Sequence, residues 1–380
     1  MHVFALLPLL TLLGEPETGG GKRKAPPPLP DAGAIEASLL ELARDRVQQG
    51  WQRLARADDH VYAIDIALLS MAFALGGDKA PYETLDALAR KHLLVEEPPG
   101  LAAPIILWRR QVPEGKPEAS GTTEMLRFAQ AWLVGSQTFH RPEDAALARR
   151  LLRGYVLHAG QVDGTWMVRN YYDLRGRHFA INSYLIDYAP DLLVFAGTEP
   201  REESLLAVAR SSLALVRRAQ RANGLIDAMV QPEVRTLYPF VIFSPNDIIQ
   251  IEHAAIVAEQ VAKGAPAIAR RLLDFALARL PKLPAAVVGR SGEPSAQESA
   301  DAGTYAALVR LAVRLDAAAA VRAFRRPFLE NAEWLVRAAR KDSARLPETH
   351  LLGQTLLGLM FLRHFDEDKP LPPAIAGRAP

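Results

Sequence analysis

Six stretches of the sequence are apolar on nearly every side of a helix, and each begins with a short polar segment. A helix that is apolar all round has to be buried, so six of them require a large core made mainly of helices. The polar segments would lie at the helix N-termini, where backbone N–H groups need partners. These segments are Asp59–Asp65, Ser120–Glu124, Asn182–Asp187, Ser244–Asp247, Ser299–Tyr305 and Glu348–His350.

Amphipathic segments separate the apolar helices along the chain. They lie near residues 34–56, 80–92, 143–158, 201–220, 264–280 and 317–340. Six buried helices alternating with six surface helices predict an all-α fold, an (α/α)6 toroid in which the N-terminal ends of the inner helices meet at one mouth. We expect a single toroid domain over residues 31–366, with a leader and linker over 1–30 and a tail over 367–380.

The first 30 residues differ from the rest of the chain. Val3–Leu13 is an apolar run of signal-peptide length, too short to cross a bilayer as a helix, and Pro26–Pro30 is a stiff linker. The basic residues Lys22–Lys24 follow the apolar run, whereas a signal peptide carries its positive charge before it. A secreted or periplasmic protein and a cytoplasmic protein with a packed N-terminal segment both fit this pattern, and we expect no stable membrane span.

Composition excludes several classes of function. The chain contains no Cys, which excludes thiol nucleophiles, disulfide scaffolds and cysteine-ligated metals. Its formal charge is only +2 and its arginines are spread over helix faces, so there is no basic patch for a nucleic-acid partner. The histidines lack metal-binding spacing, and no phosphate-binding or dinucleotide-binding glycine motif is present. We therefore predict no metal and no other cofactor.

Three carboxylates at the starts of inner helices are the candidate catalytic residues. Asp65 lies within VYAIDIALLSMAFAL, where a carboxylate is costly unless it is paired or faces a wet cavity, so an ion pair with an arginine and an acid or base both fit. Glu124 follows SGTT and would be the third helical residue after a Gly121 cap, a position that the helix dipole also favours. Asp247 follows Pro245, and an acidic first turn explains it equally well.

Two connections are too long for tight turns and alternate like small β-hairpins, over residues 166–181 and 224–243. They directly precede inner helices, so we expect them to form walls of the mouth. The first carries aromatic rings beside amide and guanidinium groups, which suits stacking and hydrogen bonding to sugars, although ordinary packing is the alternative. The predicted substrate-binding residues are Trp166, Arg169, Asn170, Tyr171, Tyr172, Asp187, Tyr305 and His350.

This six-hairpin pattern, with Glu124 opening the second inner helix in SGTTEMLRFA, resembles the six-hairpin (α/α)6 glycosidase superfamily, including the family 8 endoglucanases. The resemblance covers residues 34–365. In the family 8 enzymes, a Glu at an inner-helix start is the general acid, and Asp residues on other inner helices distort the substrate and act as the base. The resemblance therefore implies hydrolysis of a bacterial polysaccharide, with Glu124 as proton donor and Asp65 or Asp247 as base.

Two other functions fit the same sequence. A polysaccharide lyase would use Tyr171, His178, Asn170 and Arg169 to abstract a proton beside a uronate. A glycan-binding or assembly protein without catalytic activity could also be built on the toroid, because a fold does not determine a function.

Overall fold

The computed structural model describes residues 28–113, 115–162, 165–179, 183–184, 210, 213–226, 229–231, 236–238, 248–262, 264–279, 302–341, 347–372 and 375. Val3–Leu13 and the candidate residues Asp187 and Asp247 lie outside these ranges. So does most of the stretch that we predict to form the third inner helix.

The chain is mainly helical. The helices are α1 (Ala32–Gln48), α2 (Ala63–Gly76), α3 (Lys79–His92), α4 (Thr122–Phe139), α5 (Pro142–Leu157), α6 (Ile248–Val261), α7 (Pro266–Arg279), α8 (Ala302–Arg314), α9 (Ala318–Lys341) and α10 (Thr349–Asp366), and residues 213–219 are also helical. Asp31 caps α1, since its carboxylate accepts hydrogen bonds from the first backbone N–H groups of the helix.

The apolar helices α2, α4, α6, α8 and α10 form the inner ring. In spatial order α6 packs on α8, α8 on α10, α10 on α2, and α2 on α4, so the last hairpin of the chain closes against the first. The amphipathic helices lie outside and bury one face each, as α9 does with Phe324 and Phe328. This arrangement confirms the predicted all-α (α/α)6 toroid.

Short strands connect the helices. They are β1 (His60–Tyr62), β2 (Leu94–Val95), β3 (Ile105–Ile106), β4 (Arg109–Gln111), β5 (Ala159–Val162), β6 (Thr165–Val168), β7 (Tyr172–Asp173), β8 (His178–Phe179), β9 (Ser183–Tyr184), β10 (Met229–Gln231) and β11 (Thr236–Tyr238). All pairings are antiparallel: β1 with β4, β2 with β3, β5 with β6, β7 with β8, and β10 with both β9 and β11.

Residues 166–181, which we predict to form one hairpin, therefore belong to two hairpins. β5 and β6 form the first, and β7 and β8 form the second, with Tyr172 opposite Phe179. The alternating pattern indicated strands correctly but not their register. Among the described residues, no helix combines the length and the apolar character needed to cross a bilayer.

Candidate active site

The N-termini of α2, α4 and α10 bring three predicted site residues to one end of the ring. Asp65 lies in the first turn of α2, Glu124 in the first turn of α4, and His350 is the second residue of α10. The positive ends of the three helix dipoles are directed toward this end. The predicted mouth therefore exists at these three helices, and two of the three candidate carboxylates lie there.

Asp65 is fully buried and is held by two cationic or polar partners. Arg56 donates from Nε and Nη2 to the two carboxylate oxygens at 2.8 and 2.7 Å, and Nδ1 of His350 lies 3.1 Å from Oδ1. Burial alone would raise the pKa of Asp65, but the hydrogen bonds from Arg56 and His350 outweigh it and hold that pKa below its ordinary value. Asp65 is thus an ionised carboxylate in an ion pair with an arginine.

Glu124 is the third residue of α4 after the N-cap Gly121. Its carboxylate lies over the start of the helix, where a Cβ added at Gly121 would overlap Oε2 of Glu124 and would lie 2.8 Å from Cβ of Trp108. Burial is the largest influence on Glu124 and raises its pKa to about 7. A backbone N–H and Arg56 oppose this shift, and the negative charge of Asp65 adds to it. Glu124 can therefore carry a proton near neutral pH.

A buried hydrogen-bond chain fixes the segment before Glu124. Nδ1 of His158 lies 2.8 Å from the carbonyl of Gly154, and Nε2 lies 2.7 Å from Oγ of Ser120. Burial lowers the pKa of His158 to about 4, so the ring is neutral, donates through Nδ1 and accepts the Ser120 hydroxyl proton at Nε2. Oγ of Ser120 in turn accepts the backbone N–H of Tyr172 at 2.8 Å. This series of hydrogen bonds connects β7 to the start of α4.

An aromatic wall next to these carboxylates was not singled out from the sequence. Tyr62 ends β1, and Trp108 packs edge-on against its ring with 5.8 Å between centroids. The guanidinium of Arg56 lies 4.1 Å from the centre of the Tyr62 ring, and that of Arg109 lies 4.1 Å from the centre of the Trp108 ring. The hydroxyl of Tyr62 donates to Asp58 at 2.7 Å, and the Asp58 side chain is 45% exposed. Asp58 is thus a further carboxylate beside the wall.

The predicted substrate-binding residues of the hairpin region occupy different environments. Asn170 is buried beside α4, where the backbone N–H and the hydroxyl of Thr122 donate to its carbonyl at 3.0 and 2.9 Å. Tyr171 is exposed, and Trp166 lies in β6. The guanidinium of Arg169 lies over the ring of Phe179, 5.3 Å from its centre.

The four residues of the lyase hypothesis do not share one environment. Arg169 packs on the Phe179 ring and Asn170 is buried, whereas Tyr171 and His178 are exposed. Arg169 and Asn170 are therefore held by packing within the hairpin region. No contact among the described residues favours a lyase over a hydrolase.

Two of the tyrosines predicted to contact a sugar are buried and pack within the fold. Tyr172 is 3% exposed, and its hydroxyl donates to the carbonyl of Pro99 at 2.8 Å. Tyr305 is 4% exposed and packs on Phe324 of the outer helix α9, so it points away from the axis of the ring. Adjacency to polar residues in the sequence does not reveal which face of a helix or strand a ring occupies, and sugar binding by these two tyrosines stays a prediction.

Solved structures with the same architecture include several glycan-degrading enzymes. An α-amylase from Clostridium perfringens is 12% identical with a TM-score of 0.63, over 86% of this chain and 97% of that one. An endo-β-1,4-glucanase from Acetobacter xylinum is 15% identical with a TM-score of 0.60, over 88% and 99%. The endoglucanase Cel10 of Klebsiella pneumoniae, a family 8 glycosyl hydrolase, is 12% identical with a TM-score of 0.50, over 79% and 99%.

These similarities define the fold of the chain as a six-hairpin, glycosidase-like (α/α)6 toroid. No family model matches the sequence, and no curated protein is detectably similar to it in sequence. The fold agrees with the resemblance seen in the sequence.

Proposed function

We propose that the protein is a carbohydrate-active enzyme that hydrolyses glycosidic bonds of a polysaccharide, with Glu124 as the general acid. The proposal rests on one observation: a carboxyl group with a pKa of about 7 lies at the mouth of the toroid beside an ionised, buried Asp65. A general acid has to hold a proton at the working pH and give it to the leaving oxygen. The glucan-degrading enzymes among the solved neighbours support the substrate class.

Asp65 and Asp247 divide the remaining roles in this proposal. Both oxygens of Asp65 accept hydrogen bonds from Arg56, and its pKa is lowered, so it is a weak base. We assign Asp65 to keeping Glu124 protonated through its negative charge. We assign Asp247 to the role of base, activating water in an inverting hydrolase, for which the two carboxyl groups should be about 6.5–9.5 Å apart.

Tyr62 and Trp108 are the sugar platform in this proposal. Their rings pack edge to face, and Trp108 lies directly beside the Gly121 cap over which Glu124 folds. Aromatic faces stack on the C–H faces of sugar rings, and the guanidinium groups of Arg56 and Arg109 each pack against one of the two rings. The glycosidic oxygen of a sugar that stacks on these rings would lie close to Glu124.

The proposal is tested by incubating the purified chain with carboxymethyl-cellulose, mixed-linkage β-glucan and starch, and measuring the release of reducing ends. We expect release from at least one polymer. Affinity electrophoresis on the same polymers supplies a readout of binding without catalysis. Retarded migration with no release from any polymer would instead support the glycan-binding protein considered from the sequence.

The pH dependence of hydrolysis should report on Glu124. Because the general acid has to be protonated, kcat is expected to fall as the pH rises through about 7. The measurement is kcat between about pH 4 and 9 on the polymer that the chain hydrolyses fastest. Circular dichroism at the lowest and the highest pH checks that the chain stays folded. A profile that stays flat well above pH 7 would contradict the role of Glu124 as acid.

Replacing Gly121 by Ala is expected to lower kcat about 10- to 100-fold. It should also lower the Tm, because the added Cβ would lie 2.8 Å from Cβ of Trp108. The added Cβ would occupy the space of Oε2 of Glu124, so the carboxylate has to move out of its position over the helix start. Gly33→Ala is the matched control, because Gly33 also lies in the first turn of a helix and its Cβ would meet only an ordinary contact. Unchanged hydrolysis by Gly121→Ala would show that this carboxylate position is not required.

A further inference from the structure

The C-terminal end of the outer helix α5 contacts the chain on both sides of Glu124. Before Glu124, Nε2 of His158 lies 2.7 Å from Oγ of Ser120. After it, a Cβ added at Gly154 would lie only 3.0 Å from Cε of Met125, so α5 and α4 approach closely there. The end of α5 therefore holds the residues that flank the proposed acid.

His158 is held in place by contacts other than the one to Ser120. It is the C-cap of α5, and its Nδ1 donates to the carbonyl of Gly154 in the same helix at 2.8 Å. The ring of Phe179 packs edge-on against the imidazole, with 5.2 Å between centroids. Burial and the positive charge of Arg169 lower the pKa of His158, so the ring is neutral at pH 7. Nε2 is therefore an acceptor in a fixed position.

Ser120 connects this fixed acceptor to the start of α4. Its buried hydroxyl donates to Nε2 of His158, and the same oxygen accepts the backbone N–H of Tyr172 at 2.8 Å. Ser120 directly precedes Gly121, the N-cap of α4 over which the carboxylate of Glu124 lies. A shift of Ser120 would therefore move the cap, and the carboxylate with it.

We propose that His158 is a positioning residue for the proton donor, and that its hydrogen bond with Ser120 determines where the carboxyl group of Glu124 lies. The proposal rests on the hydrolysis proposed above, in which Glu124 is the acid. His158 is fully buried, so it acts through Ser120 and Gly121 and not on the substrate. A displacement of a reacting group by about 1 Å can lower kcat about 100-fold, so a contact made by an outer helix can matter for catalysis.

Two substitutions of His158 separate its two hydrogen bonds. His158→Asn can keep the bond to the carbonyl of Gly154, but its side chain is too short to reach Ser120. The longer side chain of His158→Gln can present an amide oxygen to the hydroxyl of Ser120. Both variants lose the imidazole ring and its packing on Phe179, so a purely structural role predicts similar effects of the two. Positioning through Ser120 predicts that only His158→Asn displaces Glu124.

The pKa of Glu124 is a readout that needs no substrate. It is measured on the full chain by carbon-13 NMR of the glutamate carboxyl groups, and the Glu124 signal is assigned by its loss in Glu124→Gln. The pKa of about 7 should fall by about one unit in His158→Asn, because a displaced carboxyl is less shielded from water. It should stay near 7 in His158→Gln. An unchanged pKa in His158→Asn, or equal falls in both variants, would overturn the proposal.

Ser120→Ala tests the same contact without changing His158. It removes the hydroxyl and leaves the imidazole packed on Phe179, so the measurement remains possible if His158→Asn does not fold. We expect the pKa of Glu124 to fall in Ser120→Ala as it does in His158→Asn. A pKa equal to that of the wild type would show that the contact does not position the carboxyl group.

Hydrolysis is the second readout. His158→Asn and Ser120→Ala should each lower kcat about 10- to 100-fold, with KM little changed because the aromatic wall of Tyr62 and Trp108 is intact. Both substitutions break the same hydrogen bond, so the double variant should lose no more than the weaker single variant. Losses that multiply in the double variant would show that the two residues act separately.

Tyr82→Phe is the matched control for a loss of stability alone. It removes another buried side-chain hydrogen bond, from the Tyr82 hydroxyl to Asp144 at 2.8 Å, between the outer helices α3 and α5. The Tm should fall, whereas kcat and the pKa of Glu124 should not change. A wild type that hydrolyses no polymer would contradict the proposed function, and the pKa of Glu124 would still decide the role of His158. Hydrolysis at the wild-type rate by His158→Asn would overturn the positioning role alone.

Discussion

Glu124→Gln is expected to lower kcat for polysaccharide hydrolysis by about 10²–10⁴-fold. Glutamine keeps the shape of the side chain but cannot transfer a proton to the leaving oxygen. The measurement is release of reducing ends from the polymer that the wild type degrades best. Binding of that polymer should persist, because the aromatic wall of Tyr62 and Trp108 is untouched.

The same substitution should stabilise the fold at alkaline pH. The pKa of Glu124 is raised from 4.5 to about 7 in the folded chain, so the stability associated with its protonated form is full below pH 4.5 and is lost as the pH rises through 7. Glutamine does not ionise and avoids this loss. At pH 8 the variant should gain at most about 3 kcal/mol in free energy of unfolding, seen as a higher Tm.

Two comparison variants make the test of Glu124 specific. Glu143 also lies in the first turn of a helix, but on the outer helix α5 with an exposed side chain, so Glu143→Gln should leave kcat unchanged. Asp58→Asn removes the carboxylate that accepts the Tyr62 hydroxyl proton. Loss of hydrolysis in Asp58→Asn combined with near-normal hydrolysis in Glu124→Gln would reassign the acid to Asp58.

Asp65→Asn is expected to cost about 3–5 kcal/mol in free energy of unfolding at neutral pH. The substitution leaves the guanidinium of Arg56 beside a buried site without its counter-charge. Because the pKa of Asp65 is lowered in the folded chain, its stabilisation is complete above pH 3.8 and is lost only as the pH falls through the lowered value. The loss should therefore be fully visible at pH 7 in urea or thermal unfolding.

Asp65→Asn should also move the alkaline limb of the pH–rate profile to lower pH. The charge of Asp65 raises the pKa of Glu124 and that of Arg56 lowers it, so removing the carboxylate shifts Glu124 toward its ordinary value. Asp366→Asn is the matched control, since Asp366 makes a two-point pair with Arg325 at the surface and should cost less than about 1 kcal/mol. An alkaline limb that does not move would show that Asp65 does not act on the acid.

The fold was predictable because a buried helix can be recognised in the sequence by its apolar residues. The inner helices are apolar on every side, and an isolated carboxylate such as Asp65 stands out within α2. The cap at Gly121 and the position of Glu124 also follow from local rules about helix starts.

The partners of these residues were not predictable in the same way. Arg56 lies in an irregular segment without periodicity, and His350 reaches Asp65 only because α10 packs on α2. The burial of Tyr172 and Tyr305 was not predictable either, because strand register and helix rotation depend on packing between distant segments.

The closure of the last hairpin on the first has a consequence for synthesis. Asp65 and His350 are 285 residues apart in the chain, which at 5–20 residues per second corresponds to roughly 15–60 s of translation. Until α10 emerges from the ribosome, one apolar side of α2 has no neighbour and the Asp65 carboxylate lacks one of its hydrogen bonds. A nascent chain that stops short of α10 therefore exposes an apolar surface to chaperones and carries an incomplete site.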